Sequence, residues 1–325
     1  MSNLLELASI ILTPTAYSAD TLHCIKPNTA TGDFNFDRNT TATRVNSSGN
    51  IETIAANLPR IDYTGGTGHF LMEPQSTNLF LNSATLSTQS VTTTAASHTI
   101  SFYGTGSITL SGTHSATING TGANNRVTLT FTPSSGSLNC TVSGSVTNAQ
   151  IEALKFATSY IPTTGTMVTR SADNANDAGS SSLINSTEGV FYAEIAALDE
   201  IPSQKQIALS DGTNSNVIKL SFRNAQNQIQ AAVKDGGTTT ANIIVTNSFS
   251  IKNYFKVAIK YKVNDVALWV NGTEVGTDTS ATIPTGLNTL TFDRGDGGSD
   301  FQGKVKCVAI YKTALTDSQL QCLTS

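Results

Sequence analysis

The chain has 325 residues, 13% of them charged, and a formal net charge of -4. That length accommodates two or three domains with cores of their own, and the weakly acidic balance excludes the basic footprint of a nucleic-acid binder. No apolar run reaches the ~18 residues of a membrane-spanning helix, so membrane insertion is not expected; the polarity comes from Thr, Ser, Asn and Gly, a balance that suits extracellular or virion β-proteins.

Taken in order, Met1–Pro14 carries Leu4, Leu5, Leu7, Ile10, Ile11 and Leu12. Glu6 stands where a secretory leader would be basic, so a short apolar helix or strand packed on the body or on another subunit is expected. Residues 15–82 show no sustained period. Asn46–Asn50 reads as a turn, Ile51–Ala56 as a short strand, and Leu58 is held extended by Pro59. A segment of this kind cannot bury much by itself, so residues 1–82 are expected to form an irregular attachment or oligomerisation strap.

Residues 83–157 read as a small β-sandwich. Short strands at Ser101–Tyr103, Ser107–Leu110, Arg126–Phe131 and Leu138–Val142 are punctuated by glycines. Val127, Leu129 and Phe131 face one way and Thr128, Thr130 and Thr132 the other. Residues 158–187 are rich in Thr, Ser, Asn and Gly and are expected to be a linker.

Residues 188–325 form the third predicted unit. Strands are expected at Gly189–Ile195, Gln206–Leu209, Val217–Phe222 and Gln228–Val233. A hairpin over Phe255–Gly272 follows. Phe255, Val257, Ile259, Tyr261 and Val263 alternate with polar or small residues, as in a strand with one buried face. Val266, Leu268 and Val270 repeat the pattern with Trp269 on the opposite face, and Asn271-Gly272 suits the positive φ angles of a tight turn. Leu290–Phe292 and Phe301–Tyr311 supply the last strands. Thr316 with Gln319 forms a capping box that starts a brief helix. The fold class is therefore all-β, with tandem β-sandwich or jelly-roll modules.

Two resemblances attach to these residues. The run RNTTATRVNSSGNIE at 38–52, NLPRIDY at 57–63, EPQSTNL at 73–79 and YIPTTGTMVTRSAD at 160–173 resemble, in order, blocks of tailed-bacteriophage virion structural proteins of fibre or adhesin type. The last unit resembles the laminin G-like, concanavalin A-like jelly rolls. Its matching features are the lysine-bearing strand, Trp269–Gly272, and the closing Phe301–Val305 and Ile310–Asp317. The first resemblance implies a location on the virion surface, on tail or head, with other virion proteins as partners and a homotrimeric assembly. The second implies a lectin-like module for host cell-surface glycans, although that fold also hosts hydrolases and plain structural modules.

Chemistry is sparse. A glycosidase needs two carboxylates ~5–10 Å apart across a cleft. Glu194, Asp199 and Glu200 have the wrong spacing for the alternating acidic strand of concanavalin A-like glucanases, and there is no G-x-S-x-G elbow. The expectation is a non-enzyme. The candidate ligand-binding residues are Trp269, Asn271 and Tyr254, an aromatic platform with an amide; packing is the plainer alternative for Trp269. Asp293, Asp296 and Asp300 lie in a glycine-rich loop whose oxygen ligands would suit Ca²⁺, against the alternative of a solvated turn; no other cofactor is expected. Cys24, Cys140, Cys307 and Cys322 form no C-x-x-C pair. Cys307 and Cys322 could meet, with reduced buried thiols as the alternative. Two further readings stay open: a purely structural capsid decoration or head-fibre protein, and a polysaccharide depolymerase with its site at a subunit interface.

Overall fold

The computed structural model describes residues 4–18, 21–200 and 204–325, so the first residues of the apolar N-terminal stretch lie outside it. The chain forms two compact units, the larger made of Met1–Asp37, Leu58–Met72 and Asp173–Ser325 and the smaller of Arg38–Asn57 and Glu73–Ala172. Both are built from β-sheets, as the alternating sequence requires.

In the larger unit a helical turn, α1 (Leu4–Leu7), precedes β1 (Ala8–Ser18) and β2 (Thr21–Lys26). Then come β3 (Ile61–Asp62), β4 (His69–Met72), β5 (Glu188–Ala197), β6 (Lys205–Ser210), β7 (Val217–Phe222), β8 (Gln228–Asp235) and β9 (Thr238–Thr246). The set closes with β10 (Phe255–Lys262), β11 (Val266–Val270), β12 (Thr273–Asp278), β13 (Thr289–Thr291), β14 (Gly303–Tyr311) and α2 (Asp317–Thr324). A nine-stranded sheet runs β2-β1-β14-β5-β10-β11-β12, with β4 also paired to β14 and β3 to β4. A five-stranded sheet runs β9-β8-β7-β6-β13. The facing sides of the two sheets meet in one apolar core that includes Phe191, Ile207, Leu209, Leu220, Ile259, Leu268 and Ile310.

The 255–272 hairpin is present, with Ile259 opposite Leu268 and Ala258 opposite Trp269; Val263, expected on its buried face, sits in the turn and is exposed. Asn271 and Gly272 take φ of 48° and 82°, a left-handed pair that Asn and Gly tolerate best. The capping box at Thr316 is complete: its hydroxyl accepts from the Gln319 N–H while the Gln319 side chain returns to the Thr316 N–H. Strands β9 and β12 were not among the expected elements; a broken polar–apolar alternation hides each of them.

The smaller unit is a sandwich of a three-stranded sheet (122–131, 98–104, 146–152) on a four-stranded one (116–119, 107–112, 136–143, 89–93). Phe80, Ile100, Phe102, Leu110, Leu138 and Ile151 fill its core.

The structure redraws the boundaries taken from the sequence. Residues 1–82 are not a strap. Ile11 and Leu12 of β1 pair with Ala309 and Val308 of β14, and 42–45 pairs with 51–54 within the smaller unit. Residues 158–187 are not a linker either. Val168–Arg170 pairs with Ser76–Asn78, and Asn174–Asn176 pairs with Asn35–Asp37. The unperiodic sequence here reflects very short strands held by polar side chains rather than by an apolar face.

Those side chains are the ones that carried the virion resemblance. In the larger unit the Arg60 guanidinium pairs with the Asp173 carboxylate, both fully buried. In the smaller unit Arg170 Nη1 lies 2.8 Å from Glu73 Oε2, and Glu73 also accepts from the Ser159 N–H and hydroxyl at 2.7 and 2.6 Å. Arg44 Nε donates to Glu52 Oε1 at 2.6 Å, and this hydrogen bond holds the Glu52 carboxyl below its ordinary range. Buried charges persist only when paired and hydrogen-bonded. These motif residues therefore act as internal staples.

Candidate functional site

Strands β6, β7 and β8 alternate strictly. Ile207, Leu209, Ile218, Leu220, Phe222, Ile229, Ala231 and Val233 enter the core. Their neighbours in sequence must then point to the opposite, outward face, because successive side chains alternate across a sheet. The registers place them in rows. Thr291, Ala208, Lys219, Ala232 and Asn242 form one row across the five strands. Gln206, Ser221, Gln230 and Ile244 form the next.

This face is polar yet largely sealed on one side. Gln206, Ser221 and Lys219 are 1%, 2% and 6% exposed, whereas Gln230 is half-buried and Asn242 exposed. Gln206 Oε1, Ser221 Oγ and Thr289 Oγ1 are buried with no hydrogen-bond partner among the described residues. Such atoms each cost roughly 1–3 kcal/mol when they are left without a partner. On the open half Gln230 Nε2 donates to Asn242 Oδ1 at 2.6 Å. Lys219 Nζ donates to Asn214 Oδ1 at 3.3 Å. Burial, then the charges of Lys234 and Arg294, pulls the Lys219 ammonium down to about 8, with Asp296 acting the other way.

The aspartate loop closes one end of this face. The Ser210 hydroxyl donates to the Gly295 carbonyl at 3.1 Å. Gly295 has φ 97°, and a Cβ on it would meet Ser210 Cβ at 2.8 Å, so only glycine lets the loop settle so closely. Asp293 is buried; its Oδ1 accepts from the Thr291 hydroxyl at 2.9 Å and from the Gly295 N–H at 2.5 Å. Asp296 is engaged by Arg294 at 2.9 Å through both carboxylate oxygens, which holds its carboxyl low. Asp300 runs beside Gln206, and burial, then the Asp293 charge, pushes its carboxyl up. Among the described residues no group of three or more His, Cys, Asp or Glu side chains is placed to hold a metal ion. The structure thus gives the three aspartates of the loop separate partners.

The aromatic candidates lie elsewhere. Trp269 is 7% exposed and belongs to an apolar cluster with Ala8, Ile11, Tyr192, Ala309, Tyr311 and Leu320. This cluster lies on the other side of the nine-stranded sheet from the main core, under α2. Asn271 shapes the hairpin: its N–H donates to the Lys256 carbonyl at 2.9 Å and its Oδ1 accepts from the Lys256 N–H at 3.0 Å. Tyr254 is half-buried, with Lys306 Nζ 4.0 Å from its ring centroid and the His69 ring edge-on at 6.3 Å; burial pushes its phenol up. All four cysteines are free thiols, Cys307 partly buried and Cys322 exposed.

Sequence reading missed Gln206, Lys219 and Ser221. The alternation in VIKLSF was visible, but a Lys and a Ser on the polar side of a strand have the pattern of any solvated face. Only their low exposure sets them apart.

Comparison with known proteins agrees with this architecture. No curated protein matches the chain. Among solved structures, a Ruminococcus gnavus IT-sialidase CBM40 bound to α2,3-sialyllactose is 16% identical, with 46% of this chain and 92% of that chain covered and a TM-score of 0.39. A leech intramolecular trans-sialidase is 19% identical, covering 43% of this chain but only 23% of that one, at a TM-score of 0.37. Domain 4 of AbnA, an extracellular arabinanase from Geobacillus stearothermophilus, is 12% identical, with 47% and 73% covered and a TM-score of 0.39. Residues 196–321 match the family model of the concanavalin A-like lectin/glucanases superfamily, so this stretch of the chain is similar to the laminin G-like domains.

Proposed function

We propose that this chain is a non-catalytic virion component, of tail or head fibre or adhesin type, whose laminin G-like domain holds host-surface glycan on the outward face of its five-stranded sheet. The observation that carries the reading is the set of sealed polar atoms without partners, Gln206 Oε1 and Ser221 Oγ, in the domain that matches a lectin/glucanase family. Sugar hydroxyls both donate and accept, so they complement such atoms. Many copies on a particle would turn weak single-site binding into firm attachment.

The virion assignment, its protein partners and a homotrimeric assembly rest on the resemblance of residues 38–79 and 160–173 to phage structural proteins. Residues 1–82 do not add to the case for a trimer, since they pair inside the two units. Immunogold labelling of particles would place the protein on head or tail.

A multivalent glycan array tests the binding function. Retention of at least one glycan class is expected, with Ser221→Ala and Gln206→Ala each weakening it several-fold. No retention at high valency would leave the purely structural, decoration-type reading. The depolymerase reading places its site at a subunit interface, where carboxylates of two copies would have to meet. Release of reducing ends from host polysaccharide would overturn the non-catalytic reading; none is expected.

A further inference from the structure

Lys219 occupies the centre of the outward face. Its strand is the middle one of five, and its direct cross-strand neighbours are Ala208 and Ala232, the smallest side chains that could flank it. A long cationic side chain thus stands over two residues that leave it room. It keeps only 6% of its surface exposed. Its hydrogen bond goes to an uncharged amide, Asn214 Oδ1, at 3.3 Å, and among the described residues it makes no ion pair. A buried ammonium normally has a carboxylate beside it. Here the nearby carboxylate of Asp296 is already held by Arg294.

In the adjoining row Gln206 Oε1 and Ser221 Oγ are unpartnered, and the open half of the face begins at Gln230 and Asn242. An unpaired cation next to unused hydrogen-bonding groups, bordered by the half-buried Gln230 and the exposed Asn242, is complementary to an anionic sugar. We propose that the face recognises acidic glycans, with the sugar's carboxylate or sulfate accepting from Lys219 Nζ and its hydroxyls completing Gln206 and Ser221. This rests on the glycan-binding reading above and adds the class of sugar. The local field agrees, since two cations, Lys234 and Arg294, act on Lys219 against the single anion Asp296.

The test uses the full chain and three probes: oligogalacturonate, its methyl ester, and a sulfated galactan oligosaccharide, measured by calorimetry beside a panel of neutral oligosaccharides. Tenfold or stronger preference for an anionic probe over the ester is expected, falling with added salt as a charge contact must. The tighter of the two anions identifies the group recognised. Lys219→Met, with its fold verified by near-UV circular dichroism, should bring the anionic probe down to the level of the ester. In the wild-type protein, NMR titration of the Lys219 ammonium should show its pKa rising when the anion binds, a response that a merely structural lysine would not give. Equal binding of acid and ester, or a Lys219→Met protein that keeps the preference, would overturn this inference and leave glycan binding standing. Failure of every probe, neutral ones included, would remove both.

Discussion

Burial holds the Lys219 ammonium at about 8 against its ordinary 10.5, so below pH 8 the folded chain carries a charge that the unfolded chain solvates better. Between those two values the unfolded state binds the extra proton, and stability rises with pH across that window. Lys219→Met is therefore expected to be more stable than the wild type at pH 7, by on the order of 1–3 kcal/mol, with the difference shrinking as the pH approaches 10.5. Urea unfolding at pH 7 and at pH 10 measures it, and an equal effect at both would show that packing, not charge, governs the site. A residue that destabilises its own fold at neutral pH is easier to understand as part of a binding surface than as part of the scaffold. Nothing in the local sequence marks it. VIKLSF has the alternation of an ordinary half-buried strand.

Among the elements, the hairpin β10–β11 was legible in the sequence because period-2 alternation coincides there with apolar, largely β-branched or aromatic residues on the buried side. The side occupied by Trp269 was legible as well, being opposite Leu268. What lies over it was not, because α2 reaches that face from the far end of the chain. Leu320 of α2 shares the Trp269 cluster, and the Gly272 N–H donates to the Thr324 hydroxyl at 3.1 Å. Trp269→Ala should thus cost ~3–5 kcal/mol, as for a large buried aromatic, and leave glycan retention unchanged. A denaturant midpoint paired with the array experiment separates the two effects, and lost retention in a folded Trp269→Ala protein would return this residue to the binding site. The aspartate loop gives the opposite lesson. Its composition left a cation site and a solvated turn both open, and the Arg294–Asp296 pair and the Ser210 contact to Gly295 show how the loop is held.

On the scale of the whole molecule, the chain passes between its two units after Asp37, Asn57, Met72 and Ala172, so neither unit is one continuous stretch. Deleting residues 1–82 would strip β1–β4 from one sheet and the 42–45, 51–54 and 76–78 strands from the other unit. The expected product is an unfolded or aggregated chain by circular dichroism, whereas a detachable strap would leave a native spectrum. The sequence by itself determined the all-β class, the second sandwich, most strands of the laminin G-like domain and the hairpin, because those depend on local alternation and turn chemistry. Only the tertiary structure decided that residues 1–82 and 158–187 belong inside the units, that Arg60, Asp173, Arg170 and Glu73 of the virion-like blocks are buried staples, and that Lys219 with Gln206 and Ser221 forms the sealed polar face. Some of those outcomes depend on pairings between distant residues, such as Arg60 with Asp173, and the others on burial, which no window of neighbouring residues encodes.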